Sequence, residues 1–194
     1  MTRLKEKLNA VRREMAAQNV DLMVLGPSAH MHWVLGWHPH PDERLTLALI
    51  GRSEACFVVP SVNAEQATAH AGLPLVTWRD ENGPGAALRD ALAKLGQCDS
   101  MSLDESMRTD FALALLDALP EARRGLAAEI VGKLRQTKDP EEFAALKASA
   151  AVNDRAMRAG FAALRPGLTE KQVAAAMRDS FAQQGADVAF TLCA

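Results

Sequence analysis

The sequence predicts an α/β fold, a mixed sheet with flanking helices, followed by a helix–helix–strand segment. Three observations carry this. Short apolar runs alternate with helical patterns from Asp21 to Val131, and each such helix must bury its stripe on a sheet face. Two of the runs, Leu45–Ile50 and Ala55–Val59, are joined by Gly51-Arg52-Ser53-Glu54 and read as a hairpin of central strands. From Asp139 onward the pattern changes to two amphipathic helices, each opened by a capping residue.

Taken in order, Thr2–Asn19 carries Leu4, Leu8, Val11 and Met15 on one helical face. Asp21–Leu25 is a buried strand ending in the turn Gly26-Pro27-Ser28. Ala29–Gly36 forms a short helix or turn that brings Trp33 and Leu35 to the core. Pro39 and Pro41 stiffen an irregular loop from Trp37 to Arg44. After the hairpin, Ser61 or Asn63 caps a helix ending near Gly72, and Leu73–Trp78 is a strand. Asp80–Gly85 is a loop, Ala86–Leu95 a helix, Ser100–Leu103 a short strand and Asp110–Leu119 a helix; a last strand lies near Leu126–Val131.

In the final third, Asp139 is a helix N-cap and Pro140 fits the first helical position, where its missing N–H costs nothing. Glu141 and Glu142 face the positive end of the helix dipole. Phe143, Leu146, Ala150, Met157, Phe161 and Leu164 form one apolar stripe, and Pro166-Gly167 stops the helix. Thr169 and Gln172 make the capping box of a second helix, whose buried face is Val173, Met177 and Phe181 and whose C-terminal cap is Gly185. Val188, Phe190 and Leu192 alternate with Ala189, Thr191 and Cys193, as in a half-buried strand.

The 194 residues suffice for one large or two small domains, and 48% hydrophobic with 24% charged residues is an ordinary globular composition. A formal net charge of -2 argues against the clustered basic footprint of a nucleic-acid binder. No apolar run approaches the roughly eighteen residues of a spanning helix. The N-terminus, Thr2-Arg-Leu-Lys-Glu-Lys-Leu8, is charged and amphipathic rather than a signal peptide, so the cytoplasm is the default location. Cys56, Cys98 and Cys193 are scattered and suggest neither a disulfide framework nor a zinc knuckle. Gly26-Pro27-Ser28 lacks the frame of a nucleophile elbow, and Gly83-Pro84-Gly85 is a turn rather than a phosphate cradle. Arg123, Arg124, Lys133, Arg135 and Lys138 read as solvated linker charge.

Leu134-Arg135, Lys138-Asp139-Pro140-Glu141-Glu142, Arg165-Pro166-Gly167-Leu168-Thr169-Glu170 and the strand entry Gly185–Phe190 occur in a distinctive order and spacing. Together they resemble the opening of the pita-bread catalytic domain of the creatinase/prolidase/aminopeptidase P metallopeptidases. The first half resembles that family's creatinase-type N-terminal domain. The residues that carry this are His32-Trp33-Val34-Leu35-Gly36-Trp37, the hairpin after Arg44, and Pro60 at the end of its second strand. The resemblance implies an N-terminal domain over 1–131, a linker over 132–139, and the truncated start of a catalytic domain over 140–194. It implies a parent Xaa-Pro metallopeptidase, a dipeptidase or aminopeptidase P, that acts as a cytoplasmic homodimer. Such an enzyme hydrolyses the bond before proline with a water activated by two divalent metals, Mn, Co or Zn. Two alternatives stand beside it: a creatinase-like non-peptidase hydrolase on the same scaffold, and a catalytically silent dimerisation or binding module.

In that family the metal ligands and catalytic histidines follow the first helix pair of the catalytic domain. All five histidines here, His30, His32, His38, His40 and His70, lie in the first half of the chain. No residue is therefore matched to a metal ligand or a catalytic group. The expectation is a fragment or truncated relative, inactive alone and without a cofactor of its own. What the resemblance leaves is the loop with Trp37, His38, His40, Asp42, Glu43 and Arg44 as substrate contacts that reach toward the partner subunit's cleft. Arg44 would then pair with a carboxylate of a proline-containing peptide. The other reading is a solvated loop in which Arg44 pairs with its acidic neighbours or caps the hairpin. His30, His32, His38, His40 and Asp42 are all metal-ligand types, but their spacing fits no zinc pattern, and core or surface histidines are the simpler reading. The unshielded Phe143, Phe161 and Phe181 predict either a dimer through this region or disorder beyond about Asp139.

Overall fold

The computed structural model describes residues 3–188. The chain divides into two compact units, Met1–Thr137 and Lys138–Ala194. The first unit begins with helix α1 (Arg3–Ala17), strand β1 (Leu22–Leu25) and helix α2 (Ala29–Leu35). The hairpin β2 (Leu47–Gly51) and β3 (Ala55–Pro60) follows, then a 3-10 turn, α3 (Ala64–His70) and β4 (Leu75–Trp78). It continues with α4 (Gly85–Leu95), β5 (Ser100–Leu103), α5 (Thr109–Ala118), β6 (Arg123–Leu126), a second 3-10 turn and α6 (Val131–Gln136).

The strands form one mixed sheet in the order β4-β3-β2-β1-β5-β6. β2 pairs antiparallel with both β1 and β3, and every other pairing is parallel. Five strands thus run one way and β2 alone runs against them. The sheet is covered on both faces, which is why its central strands are continuous apolar runs rather than alternating ones. Met23, Leu25, Ile50, Phe57 and Val59 pack with Val11 and Met15 of α1 and Met31 and Val34 of α2. On the opposite face Leu22, Val24, Leu49, Val58 and Met101 pack with Leu88 and Ala91 of α4 and Leu115 of α5. The indole N–H of Trp78 donates to the Leu45 carbonyl at 2.9 Å, tying β4 to the approach of β2.

Three local expectations change. The last strand is Arg123–Leu126 rather than Leu126–Val131. Arg123 and Arg124 are tolerated because β6 is an edge strand, where charge protects unpaired backbone. The apolar residues after it instead turn helical, so that Ala127, Ile130 and Val131 all reach the first core cluster. Residues 132–136, read as linker, form most of α6, with Leu134 packed against that same cluster. Neither Ser61 nor Asn63 caps α3 with its side chain, because a 3-10 turn over Ser61–Asn63 leads directly into that helix.

The second unit contains α7 (Pro140–Ala163) and α8 (Glu170–Gln183). Both begin with capping boxes. Asp139 accepts from the Glu142 N–H at 2.9 Å while Glu142 accepts from the Asp139 N–H at 3.1 Å. Thr169 and Gln172 exchange the same pair of bonds. Gly185 follows α8 with φ +67, a left-handed conformation that suits glycine after a helix end. The apolar stripe of α7 is unshielded in this chain: Phe143 and Phe161 are each 63% accessible. Ala156 and Gly160 are the buried residues of α7, opposite Val173, Ala174 and Met177 of α8. Small residues let the helices approach closely, so they define the contact. Residues 140–183 form two helices joined by a turn. Most of the strand expected from Val188, with Cys193, lies outside the described residues.

A Cβ on Gly160 would stand 2.7 Å from Met177 Cγ. Gly160→Val is therefore expected to force α7 and α8 apart at a cost of about 1–3 kcal/mol. Amide hydrogen exchange should show faster exchange across α8 and unchanged exchange in α4; unchanged protection of α8 would refute the packing described.

Candidate functional site

Because β2 alone is reversed, the carboxyl ends of β1, β3, β4, β5 and β6 share one edge of the sheet with the start of β2. From β1 the chain builds outward through β2, β3 and β4, then returns to place β5 on the other side of β1. The boundary between β1 and β5 is the topological switch point, where open α/β sheets leave a crevice beyond the strand ends.

A buried polar network occupies this place. Ser28, His30 and Asp104 are 8%, 7% and 3% exposed. The Ser28 hydroxyl caps α2 by accepting from the His30 and Met31 N–H groups at 3.1 and 3.2 Å, and it donates to Asp104. Asp104 also accepts from the Ser106 N–H and hydroxyl at 3.0 and 2.6 Å. His30 Nε2 lies 2.8 Å from Glu105 Oε1, and its Nδ1 lies 3.0 Å from Arg135 Nη1. A guanidinium has only donors. His30 Nδ1 is therefore the acceptor, and Nε2 carries the hydrogen that is donated to Glu105. The second Glu105 oxygen accepts from the Ala128 N–H at 3.2 Å. Burial pushes the Glu105 carboxyl up, but the His30 and Ala128 donors outweigh it and hold it below its ordinary range.

The ligand-type atoms of His30, Asp104 and Glu105 lie within 4.8 Å of one another, the one such group among the described residues. Their hydrogen-bond inventory does not fit a metal. To ligate through Nε2, His30 would have to move its hydrogen to Nδ1 and confront the Arg135 N–H. Asp104 already accepts three hydrogen bonds from the two serines.

The loop after α2 lies along the same edge. Trp37 is anchored, stacked on His70 at 5.4 Å and packed against Phe57 at 6.1 Å. His38 donates from Nδ1 to the Pro39 carbonyl at 2.8 Å and meets His32 edge-on at 5.7 Å. Asp42 accepts from the Arg44 N–H at 2.8 Å, closing a local turn. The Arg44 guanidinium donates to Asp80 through Nη2 at 3.2 Å and Nε at 3.3 Å, and to Glu43 at 3.4 Å. His40 and Glu43 are exposed. Asp80 belongs to the wall of a groove lined by Pro60, Ser61, Trp78 and Arg79 at the ends of β3 and β4. Burial pushes the Cys56 thiol up to about 11 and raises that of Cys98, which suits packing rather than nucleophilic attack.

Residues 7–137 match the model of the family described as creatinase/prolidase N-terminal domain. The chain belongs to that family. This creatinase/prolidase-type chain is 28% identical over 162 residues to a putative dipeptidase YkvY of Bacillus subtilis, covering 80% of this chain and 44% of that protein. It is also 28% identical over 176 residues to a probable dipeptidase PepE of Mycobacterium tuberculosis, covering 88% and 46%. Among solved structures it superimposes on dipeptidase PepE from Mycobacterium ulcerans with a TM-score of 0.82 at 26% identity, covering 94% of this chain and 50% of that one. It superimposes on a prolidase from Thermococcus sibiricus with a TM-score of 0.86 at 16% identity, covering 98% and 53%. The chain spans about half the length of the relatives it matches.

Within this creatinase/prolidase-type domain, the structure draws Asp42, Glu43 and Arg44 together with Asp80. His30 bonds with Glu105 and Arg135 while His32 meets His38, and Trp37 is held against the core. Sequence reasoning missed Ser28, Asp104, Glu105 and Arg135. The available signals were a serine directly before a helix and an Asp-Glu pair directly after a strand.

Ser28→Ala removes a cap and a partner of buried Asp104, and is expected to destabilise the first unit by about 1–3 kcal/mol in urea unfolding. Arg44→Ala, at an exposed pair, should cost much less; equal effects would contradict the burial described. Because the Glu105 carboxyl is depressed on folding, its contribution is present above the ordinary glutamate range and lost as pH falls through the depressed value. The stability gap between wild type and Glu105→Gln should accordingly shrink between about pH 6 and pH 3; a constant gap would show that the carboxylate is not the stabilising group.

Proposed function

We propose that the parent protein is a Xaa-Pro metallopeptidase, a dipeptidase or aminopeptidase P. Residues 1–137 serve as its N-terminal domain and 138–194 as the start of its catalytic domain. The observation that supports this most is that similarity to proteins named dipeptidase runs through both units, over 176 residues in one case. The two divalent metals of such an enzyme, Mn, Co or Zn, belong to its catalytic part. No residue of this chain is assigned to them, and the chain alone is inactive.

The chain's own contribution is the edge formed by Trp37, His38, His40, Asp42, Glu43 and Arg44. Trp37 fixes the base of the loop, and the prolines limit its conformations. Arg44, resting on Asp80, exchanges that partner for the carboxylate of a proline-containing peptide in the cleft of the partner subunit of a homodimer. A bidentate guanidinium–carboxylate pair gives both orientation and charge matching. No described helix is long and apolar enough to cross a membrane, in keeping with a cytoplasmic enzyme. A creatinase-like non-peptidase hydrolase uses the same scaffold and is separated from the peptidase by substrate.

A second reading, a catalytically silent dimerisation module, is favoured by one feature. Phe143, Leu146, Met157, Phe161 and Leu164 remain exposed on α7, an apolar face of the kind that marks contact surfaces.

Hydrolysis of a proline-containing dipeptide with added Mn²⁺ or Co²⁺ is expected only in a form extended to the length of the relatives. In that form Arg44→Ala should raise KM with little change in kcat. Turnover by the 194-residue chain itself would overturn the assignment of the chemistry to residues outside this chain. Self-association without turnover in either form would favour the module.

A further inference from the structure

The proposed activity leaves the His30 network unused, yet that network joins three segments remote in sequence: the start of α2, the residues after β5, and α6. Its proton inventory is determined by geometry. Arg135 donates to His30 Nδ1 at 3.0 Å, and His30 Nε2 donates to Glu105 at 2.8 Å. The chain of groups is therefore a cation, a neutral imidazole and an anion. The imidazole works only while Nδ1 keeps its lone pair.

The geometry points to His30 as a proton-operated clasp between α2 and α6. Neutral, it accepts from Arg135 and fastens the C-terminal turn of α6 to α2. A proton added at Nδ1 leaves two N–H groups and two positive charges facing each other across the former hydrogen bond, so Arg135 must leave. The imidazolium keeps Glu105, whose carboxylate it now pairs with as a full charge. Protonation thus trades the α6 contact for a stronger contact to the residues after β5.

The charged groups placed against His30 are the Asp104 and Glu105 carboxylates from the β5 side and the Arg135 guanidinium from α6. The turn before α6 contributes only the Ala128 N–H to Glu105, and Gly132 of α6 meets the ring without a side chain. From α1, Glu14 is engaged by Lys133 at 2.5 Å. That second tie holds the other side of α6 and does not depend on an imidazole. The helix has only six residues and no side-chain cap, so it relies on such ties together with buried Val131 and packed Leu134. The clasp is a positioning device and does not rest on the peptidase reading.

The test uses the full 194-residue chain. Amide hydrogen exchange, corrected for intrinsic rates, is compared at pH 7.5 and 5.5. Protection of residues 131–136 is expected to fall severalfold at the lower pH while α4 is unchanged. His30→Gln supplies an acceptor for Arg135 and a donor for Glu105 but cannot be protonated, so it should keep α6 protected at both pH values. Arg135→Met should leave α6 equally loose at both. An equal pH step in His30→Gln, or no step in wild type, would overturn the proposal. Should a variant fail to fold, wild-type nitrogen NMR decides alone. Nδ1 must give the signal of an unprotonated acceptor at pH 7.5 and titrate in step with the α6 amides; a protonated Nδ1 at pH 7.5 would refute the clasp.

Discussion

The reversed strand β2, hydrogen-bonded between β1 and β3, is the constraint on which the first unit depends. Two antiparallel pairings in succession make β1 and β3 parallel, and the remaining strands follow that direction. All the parallel strands then end at one edge. Because both faces of the sheet are buried, helices must cover both, and polar side chains are left with the loops at the strand ends. The apolar layers around Phe57 on one side and Val58 on the other are the energetic counterpart of this topology.

Concentrating polar groups at that edge has a cost unless each finds a partner, since a buried unsatisfied group forfeits its hydration without compensation. Ser28, His30 and Asp104 meet the requirement by bonding to one another and to neighbouring loops. Arg44 and Asp80, at the same edge but exposed, have no such obligation, because solvent can solvate either group of the pair. The two clusters look alike as residue types. Burial and the count of donors and acceptors separate a structural network from a solvated ion pair.

The second unit shows how far a helical pattern can be read. The starts of α7 and α8 follow from Asp139, Pro140, Thr169 and Gln172, and their stops from Pro166-Gly167 and Gly185, each acting within a single turn. The stripe Phe143 to Leu164 is also a true feature of α7. Its burial does not follow, because periodicity defines a face and not what covers it. Ala156 and Gly160 accept α8 since they present the least bulk, and the larger residues are left outward.

Much of the first unit was legible for the same local reason. The hairpin, the turn at Gly26-Pro27-Ser28 and the alternation of strand and helix are written in short runs of adjacent residues. The residues after Ala122 were not legible in this way. Their apolar run suits a strand by composition, yet the parallel register with β5 selects Arg123–Leu126, and the core then takes Ala127, Ile130 and Val131 in helical spacing. The partners of the polar residues were equally hidden. His30 meets Arg135 across 105 positions and Glu105 across 75, and Arg44 meets Asp80 across 36. The sequence by itself determined most of the elements, the caps of α7 and α8 and the apolar character of the central strands, because those depend on periodicity and on backbone groups a few residues apart. Only the tertiary structure decided which strand forms the edge, which face of α7 is covered and which proton each buried side chain holds, because those depend on donors and acceptors that folding alone brings within reach.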